Sequence, residues 1–217
     1  MDDQPNVSRA QMVYNWLKAQ IRSGHFKPGQ RLPEEEIAAA LEVSRTPIRE
    51  AMSRLSVEGL LVSHPMRGFA VVELQRDQII DLHIMREILE AASARLAARH
   101  ASQMEIDALR DLLLESKDAI GNVERLIQLN RSFHRGIAAS ARNAYLQQAL
   151  ERLGDSLGLV KGSTFEFDGR AKAVIEEHTA ILDAIEAHKP EAAEAAAQQH
   201  IRRGSQFRLK LIDGRVG

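Results

Sequence analysis

The sequence predicts a mainly α protein in two parts: an N-terminal winged helix-turn-helix with a small β-wing over residues 1–74, and an all-α, six-helix antiparallel bundle over residues 78–217. Three observations predict it. A short helical period, a turn and a second helix rich in outward arginines stand in sequence before residue 58. Two short apolar runs around a glycine-containing turn follow. From about Asp77 onward the helical period is almost unbroken.

The elements follow in order. Val13, Trp16, Leu17 and Ile21 give Gln11–Ser23 an amphipathic period that Gly24 closes. Phe26-Lys27-Pro28-Gly29-Gln30 is a turn by composition. Pro33 opens a short helix whose first turn holds Glu34, Glu35 and Glu36, as the helix dipole favours, with Ile37 and Leu41 as its buried positions. About four residues later comes the stretch Val43–Glu58. Ser44 suits the N-cap, Pro47 is tolerated in the first turn, and Ile48, Met52 and Leu55 recur at helical spacing. Arg45, Arg49 and Arg54 then point outward, and an arginine fork suits both phosphate oxygens and the major-groove edge of guanine. Gly59 ends that helix. Leu60-Leu61-Val62 and Phe69-Ala70-Val71-Val72 flank His64-Pro65-Met66-Arg67-Gly68, a hairpin with an arginine at its tip, and the only β structure expected.

Composition narrows the function classes. The chain has 29 Lys and Arg against 30 Asp and Glu, a formal net charge of −1, so a nucleic-acid face must be a local patch at 45, 49, 54 and 67 rather than a global excess. There is no cysteine, which fits a reducing cytoplasm. No apolar run approaches the ~20 residues of a membrane span. The polar start Met1-Asp2-Asp3-Gln4-Pro5 is not a signal peptide.

The second part reads as six helices with short connections. Asp77–His100 carries Ile79, Leu82, Leu89 and Leu96 along one side. Ser102 and Glu105 form a capping-box signature before Leu109, Leu112 and Leu113. Further helices cover roughly 123–141, 145–160, 170–187 and 190–212, with 162–169 as the clearest loop. Asn130 and His134 stack one turn apart. His178 and His200 lie about ten residues, or ~15 Å of helix, on either side of the 188–190 turn, so an antiparallel hairpin returns both imidazoles to one level. Three histidines and a side-chain oxygen then converge with positions left open, a donor set suited to zinc, nickel or another borderline divalent ion. His25, His64, His83, His100 and His188 have no partner at useful spacing and read as surface or loop residues.

Residues 11–73 resemble the N-terminal domain of the GntR family of bacterial transcription regulators. The matching words are Pro28-Gly29-Gln30-Arg31-Leu32, Val43-Ser44-Arg45-Thr46-Pro47-Ile48-Arg49-Glu50-Ala51, Glu58-Gly59-Leu60 and Arg67-Gly68. The resemblance implies that Arg45 and Arg49 contact operator DNA and that Gly68 lets the wing backbone approach the minor groove. It extends to Arg31, Thr46 and Arg54, each of which can equally cap or solvate its helix. A further family arginine in the second helix is replaced here by Glu36, at about that place. Residues 78–213 resemble the FCD effector domain of the FadR branch, through Arg86-Glu87-Ile88-Leu89-Glu90, Asn130-Arg131-Ser132-Phe133-His134, Glu177-His178-Thr179-Ala180-Ile181 and Gln199-His200. Six helices rather than seven point to its VanR-like group.

That resemblance implies a divalent metal on His134, His178 and His200, with Asn130 where the family commonly has aspartate. It also implies a small organic-acid effector near the metal, with Arg86 as a carboxylate clamp. The alternative for Arg86 is an ordinary helix salt bridge to Glu90. Two functions stay open. One is an effector-gated regulator, most often a repressor in this family, whose homodimer reads a palindromic operator. The other is a metalloenzyme using the same histidines to activate water. The second leaves the arginine helix and wing without a purpose.

Overall fold

The computed structural model describes residues 8–214; the polar start at 1–5 lies outside them. The chain divides into two compact units. The first holds the described residues up to Gln75 together with Gly154–Lys161, and the second holds Arg76–Leu153 and the residues from Gly162 onward.

In the first unit α1 (Arg9–Ser23) is capped by the Ser8 hydroxyl, which accepts from the Gln11 N–H at 3.1 Å, and is closed by Gly24 in the left-handed region. After β1 (Arg31–Leu32) come α2 (Glu34–Ala40) and α3 (Arg45–Val57), four residues apart. β2 (Leu61–His64) and β3 (Gly68–Val71) form the hairpin. The sheet is antiparallel in the order β1-β3-β2, with Phe69 facing Leu32 on one side and Ser63 on the other. β1 is therefore a third strand beyond the expected wing, too short to show an alternating pattern in sequence. Val13, Leu17, Ile21, Ile48, Met52 and Leu55 form the core and are fully buried. Leu159, from the distant stretch 154–161, is buried in the same cluster. Leu41, expected to be buried, is half-buried because it is the residue that ends α2; Ala38 takes the interior place beside Ile37. Ser44 sits at the N-cap of α3 with an extended backbone, but its hydroxyl makes no capping bond.

The second unit is helical: α4 (Arg76–His100), α5 (Gln103–Asp118), α6 (Val123–Ser140), α7 (Ala144–Leu157, which continues into the 154–161 stretch), α8 (Arg170–Glu186) and α9 (Pro190–Ile212). A single 3-10 turn, Thr164–Glu166, lies in the expected loop. The capping box of α5 is made in full: the Ser102 hydroxyl accepts from the Glu105 N–H, and the Glu105 carboxylate accepts from the Ser102 N–H. α4 differs from its expected leucine stripe. Leu82, Leu89 and Leu96 are half-buried, while Ala91, Ala94, Ala97 and Ala98 face the interior with His83, Glu90 and Ser93. The reason is packing: α4 lies against α6, α8 and α9, and small side chains let those helices approach. Among the described residues, no helix is long and apolar enough to cross a membrane.

Candidate nucleic-acid interface and metal centre

α3 is amphipathic, so burying Ile48, Ala51, Met52 and Leu55 forces Arg45, Thr46 and Arg49 to the outside, where all three are exposed. Arg45 and Arg49 are one turn apart and share a face. Both are ion-paired to α2: Arg49 Nε donates to Glu34 Oε2 at 2.7 Å, and Arg45 Nη1 donates to Glu35 Oε1 at 2.9 Å. Arg54 is also exposed, but it lies about 140° around the helix from Arg49. Its guanidinium covers the Tyr14 ring at 4.2 Å and donates to Gln11 Oε1 at 2.8 Å, which ties it to α1. At the hairpin tip Gly68 has φ +74° with open space around the place of a side chain, and Arg67 beside it is exposed. Arg31 on β1 donates to the Arg67 carbonyl at 2.8 Å, so it is joined to the wing rather than to α3.

Within the helical unit, α6, α8 and α9 bring His134, His178 and His200 together, all buried, with ligand atoms within 4.8 Å of one another. His200 Nε2 lies 3.3 Å from His178 Nε2 and 3.3 Å from His134 Nε2. His134 Nδ1 is 2.9 Å from Glu90 Oε2, and His200 Nδ1 is 2.7 Å from Glu177 Oε2. Burial works against charge on both carboxylates. Glu90 is nevertheless held to about 2 by His134 and Arg86, and Glu177 to about 2 by His200 and Arg170. Ionised carboxylates only accept, so both Nδ1 atoms carry protons. With both Nδ1 atoms engaged in this way, the two Nε2 atoms face each other and need either a shared proton or a metal cation between them. Four ligands at about 2.0–2.1 Å in a tetrahedron stand about 3.3 Å apart, the spacing of the two pairs that His200 makes here. Burial and neighbouring positive charge lower His178 well below the usual imidazole range. The same two causes, only partly offset by Glu177, bring His200 to about 4, so both rings are neutral and ready to coordinate near pH 7.

Asn130 is half-buried one turn before His134 on α6. Arg86 Nε lies 3.3 Å from Glu90 Oε1, so the helix salt bridge is present, and it links Arg86 through Glu90 to His134.

Residues 81–203 match the FCD domain, and residues 9–71 match the bacterial regulatory proteins of the gntR family. The chain belongs to the GntR family. It is 32% identical over 196 residues to the Nta operon transcriptional regulator of Aminobacter aminovorans, covering 89% of this chain and 91% of that one. Against the HTH-type transcriptional repressor RspR of Escherichia coli K12 it is 26% identical over 193 residues, covering 88% and 85% of the two chains. The solved structure of E. coli McbR/YncC superposes with a TM-score of 0.85 at 26% identity, over 95% of this chain and 99% of that one. GntR proteins regulate transcription by binding operator DNA and are not enzymes, so the metalloenzyme alternative drops out.

Three groups of this GntR chain escaped sequence reasoning. Glu90 and Glu177 orient His134 and His200. Glu90 lies on a helix distant in sequence from both, and nothing in the spacing singled out Glu177 over the exposed Glu176. His83, expected at the surface, is buried with neither ring nitrogen hydrogen-bonded. It lies on the α4 face that turns inward, a face the leucine pattern misplaced. Burial and the charges of Arg86 and Arg208 hold it down to about 4.

Proposed function

We propose that this GntR-family regulator is a homodimeric repressor, in which residues 1–74 bind a palindromic operator and residues 78–217 bind a small organic-acid effector beside a divalent metal. Activation stays open. Supporting the DNA half is one observation above all: Arg45 and Arg49 stand one turn apart on the exposed face of the second helix of a helix-turn-helix. Thr46 on the same face, and Arg67, Gly68 and Arg31 at the wing, are the further contacts. Arg54 is left out, because its engagement with Tyr14 and Gln11 turns it towards α1. A protein acting on chromosomal operators works in the cytoplasm.

Supporting the metal is the approach of His134 Nε2 and His200 Nε2 to 3.3 Å while both Nδ1 atoms are engaged by carboxylates. Three imidazoles suit zinc or nickel, and Asn130 is the candidate fourth ligand, weaker than a carboxylate. A bound ion would supply a Lewis-acid anchor for one effector carboxylate oxygen. Supporting an anionic effector is Arg86, which is held beside the histidines by Glu90, the carboxylate that also engages His134.

A gel shift on the DNA upstream of the chain's own coding sequence tests the regulator reading. Arg45→Ala with Arg49→Ala is expected to abolish the shift, and unchanged affinity in that double variant would remove the reading. Elemental analysis of the purified chain tests the metal: near-stoichiometric zinc or nickel, lost in His134→Ala, is expected. A metal-free wild type would sink that part alone.

A further inference from the structure

Acidic residues in the first turn of a helix are usually explained by its dipole. On α2 that explanation is incomplete, because two of them reach across to the recognition helix. Glu34 is nearly buried, its side chain 15% exposed, and its Oε2 lies 2.7 Å from Arg49 Nε and 3.6 Å from Arg45 Nη2. Glu35 is 77% exposed and holds Arg45 Nη1 at 2.9 Å.

The atoms used differ between the two arginines. Arg49 is held through Nε, which leaves both terminal nitrogens for a bidentate contact with a guanine edge. Arg45 has both terminal nitrogens turned towards carboxylates, so a phosphate or base must displace the exposed Glu35 to reach it. A free arginine must lose side-chain conformational entropy to bind, whereas a side chain already fixed at Nε loses less. Glu34 also places a negative charge beside the DNA face, which weakens binding to any duplex.

We propose that Glu34 is a positioning residue for operator specificity: it fixes the Arg49 fork toward the base edge at the expense of affinity for DNA in general. Glu35, by contrast, is a displaceable screen on Arg45 that lowers affinity without choosing among sequences. The proposal rests on the operator-binding reading above.

The test uses the full chain. The wild type selects duplexes from a randomised pool, and the enriched duplex and the unselected pool then serve as specific and non-specific probes in fluorescence anisotropy. Glu34→Ala is expected to lower the ratio of specific to non-specific affinity about tenfold, the scale of one lost base contact. Repeating the selection with Glu34→Ala should erase the base preference that Arg49→Ala also erases. Glu34→Gln, which keeps an acceptor for Nε, should restore most of that preference while binding the unselected pool more tightly than wild type. Glu35→Ala should tighten binding to both probes alike. Thermal unfolding of each variant separates these effects from loss of fold. An unchanged ratio in Glu34→Ala, or an equal loss of preference in Glu35→Ala, would overturn the proposal. If the wild type enriches no sequence, the operator reading itself fails and the proposal falls with it.

Discussion

Imidazoles whose Nδ1–H groups donate to carboxylates can meet through Nε2 only by way of something positive. Glu90 and Glu177 impose that condition on His134 and His200, and they do so by fixing ring tautomer and orientation. Glu90→Gln is therefore expected to weaken metal affinity about tenfold or more, measured by competition with a fluorescent chelator; unchanged affinity would mean that the pair is structural only. The buried histidines also set a pH dependence. His83 is neutral in the fold down to about 4, whereas in the unfolded chain it protonates near 6.5. The unfolded state then binds the extra proton, so metal-free protein loses stability as pH falls from about 6.5 to about 4. His178 and His200 act in the same direction. Urea unfolding of stripped protein should show that loss. His83→Leu should flatten it by up to one proton, about 1.4 kcal/mol per pH unit, and an unaltered slope would show that His83 is not held neutral. Legibility at this scale followed chain geometry. His178 and His200 were legible because helical rise fixes their height across the 188–190 turn, and His134 through its spacing to Asn130 and the family resemblance. Their carboxylate partners lie on other helices or beside indistinguishable neighbours, where spacing carries no signal.

Helix α4 shows what hydrophobic period can and cannot say. The pattern of Ile79, Leu82, Leu89 and Leu96 located the helix, and Ile79 is buried as expected, but the three leucines lie off the inward face, since a helix covered by three others offers its innermost strip to alanine. Ala94 and Ala97 are fully buried. Ala94→Leu is accordingly expected to cost about 1–3 kcal/mol through overpacking, while Leu96→Ala, at a half-buried site, should cost less. Reversal of that order in denaturant melts would restore the leucine face as the core. Local chemistry marked other elements well: Pro190 and the Ser102–Glu105 box fix two helix starts that the structure reproduces. The two-residue β1 had no comparable marker, being shorter than any period; the 3-10 turn carries the same kind of box at Ser163 and Glu166 but is too short to show a period.

For the molecule as a whole, a net charge of −1 fits a DNA-binding protein whose DNA-facing arginines form a local patch on one helix and one wing while the rest of its 29 Lys and Arg are balanced by acidic residues. The first compact unit draws part of its core from the far end of the sequence. Leu159 is buried there, Asp155 pairs with Lys18 at 2.7 Å and with Arg22 at 3.4 Å, and Gly158 runs so close to Arg22 that an added Cβ would lie 3.0 Å from its Cα. Burial opposes charge on Lys18, yet its bonds to Asp155, Tyr14 and Glu58 keep its pKa above the ordinary lysine value. Leu159→Ala should thus lower amide protection in the helices that build this cluster, α1 and α3 among them, by about 2–4 kcal/mol in hydrogen exchange. Loss confined to its own neighbours in sequence would contradict that. There is a consequence for anyone recombining such genes. A chimera joined near residue 75 would carry Asp155, Gly158 and Leu159 into a head that lacks Lys18 and Arg22. It would fail for a reason invisible at the splice, unless those few codons were exchanged along with the head they complete.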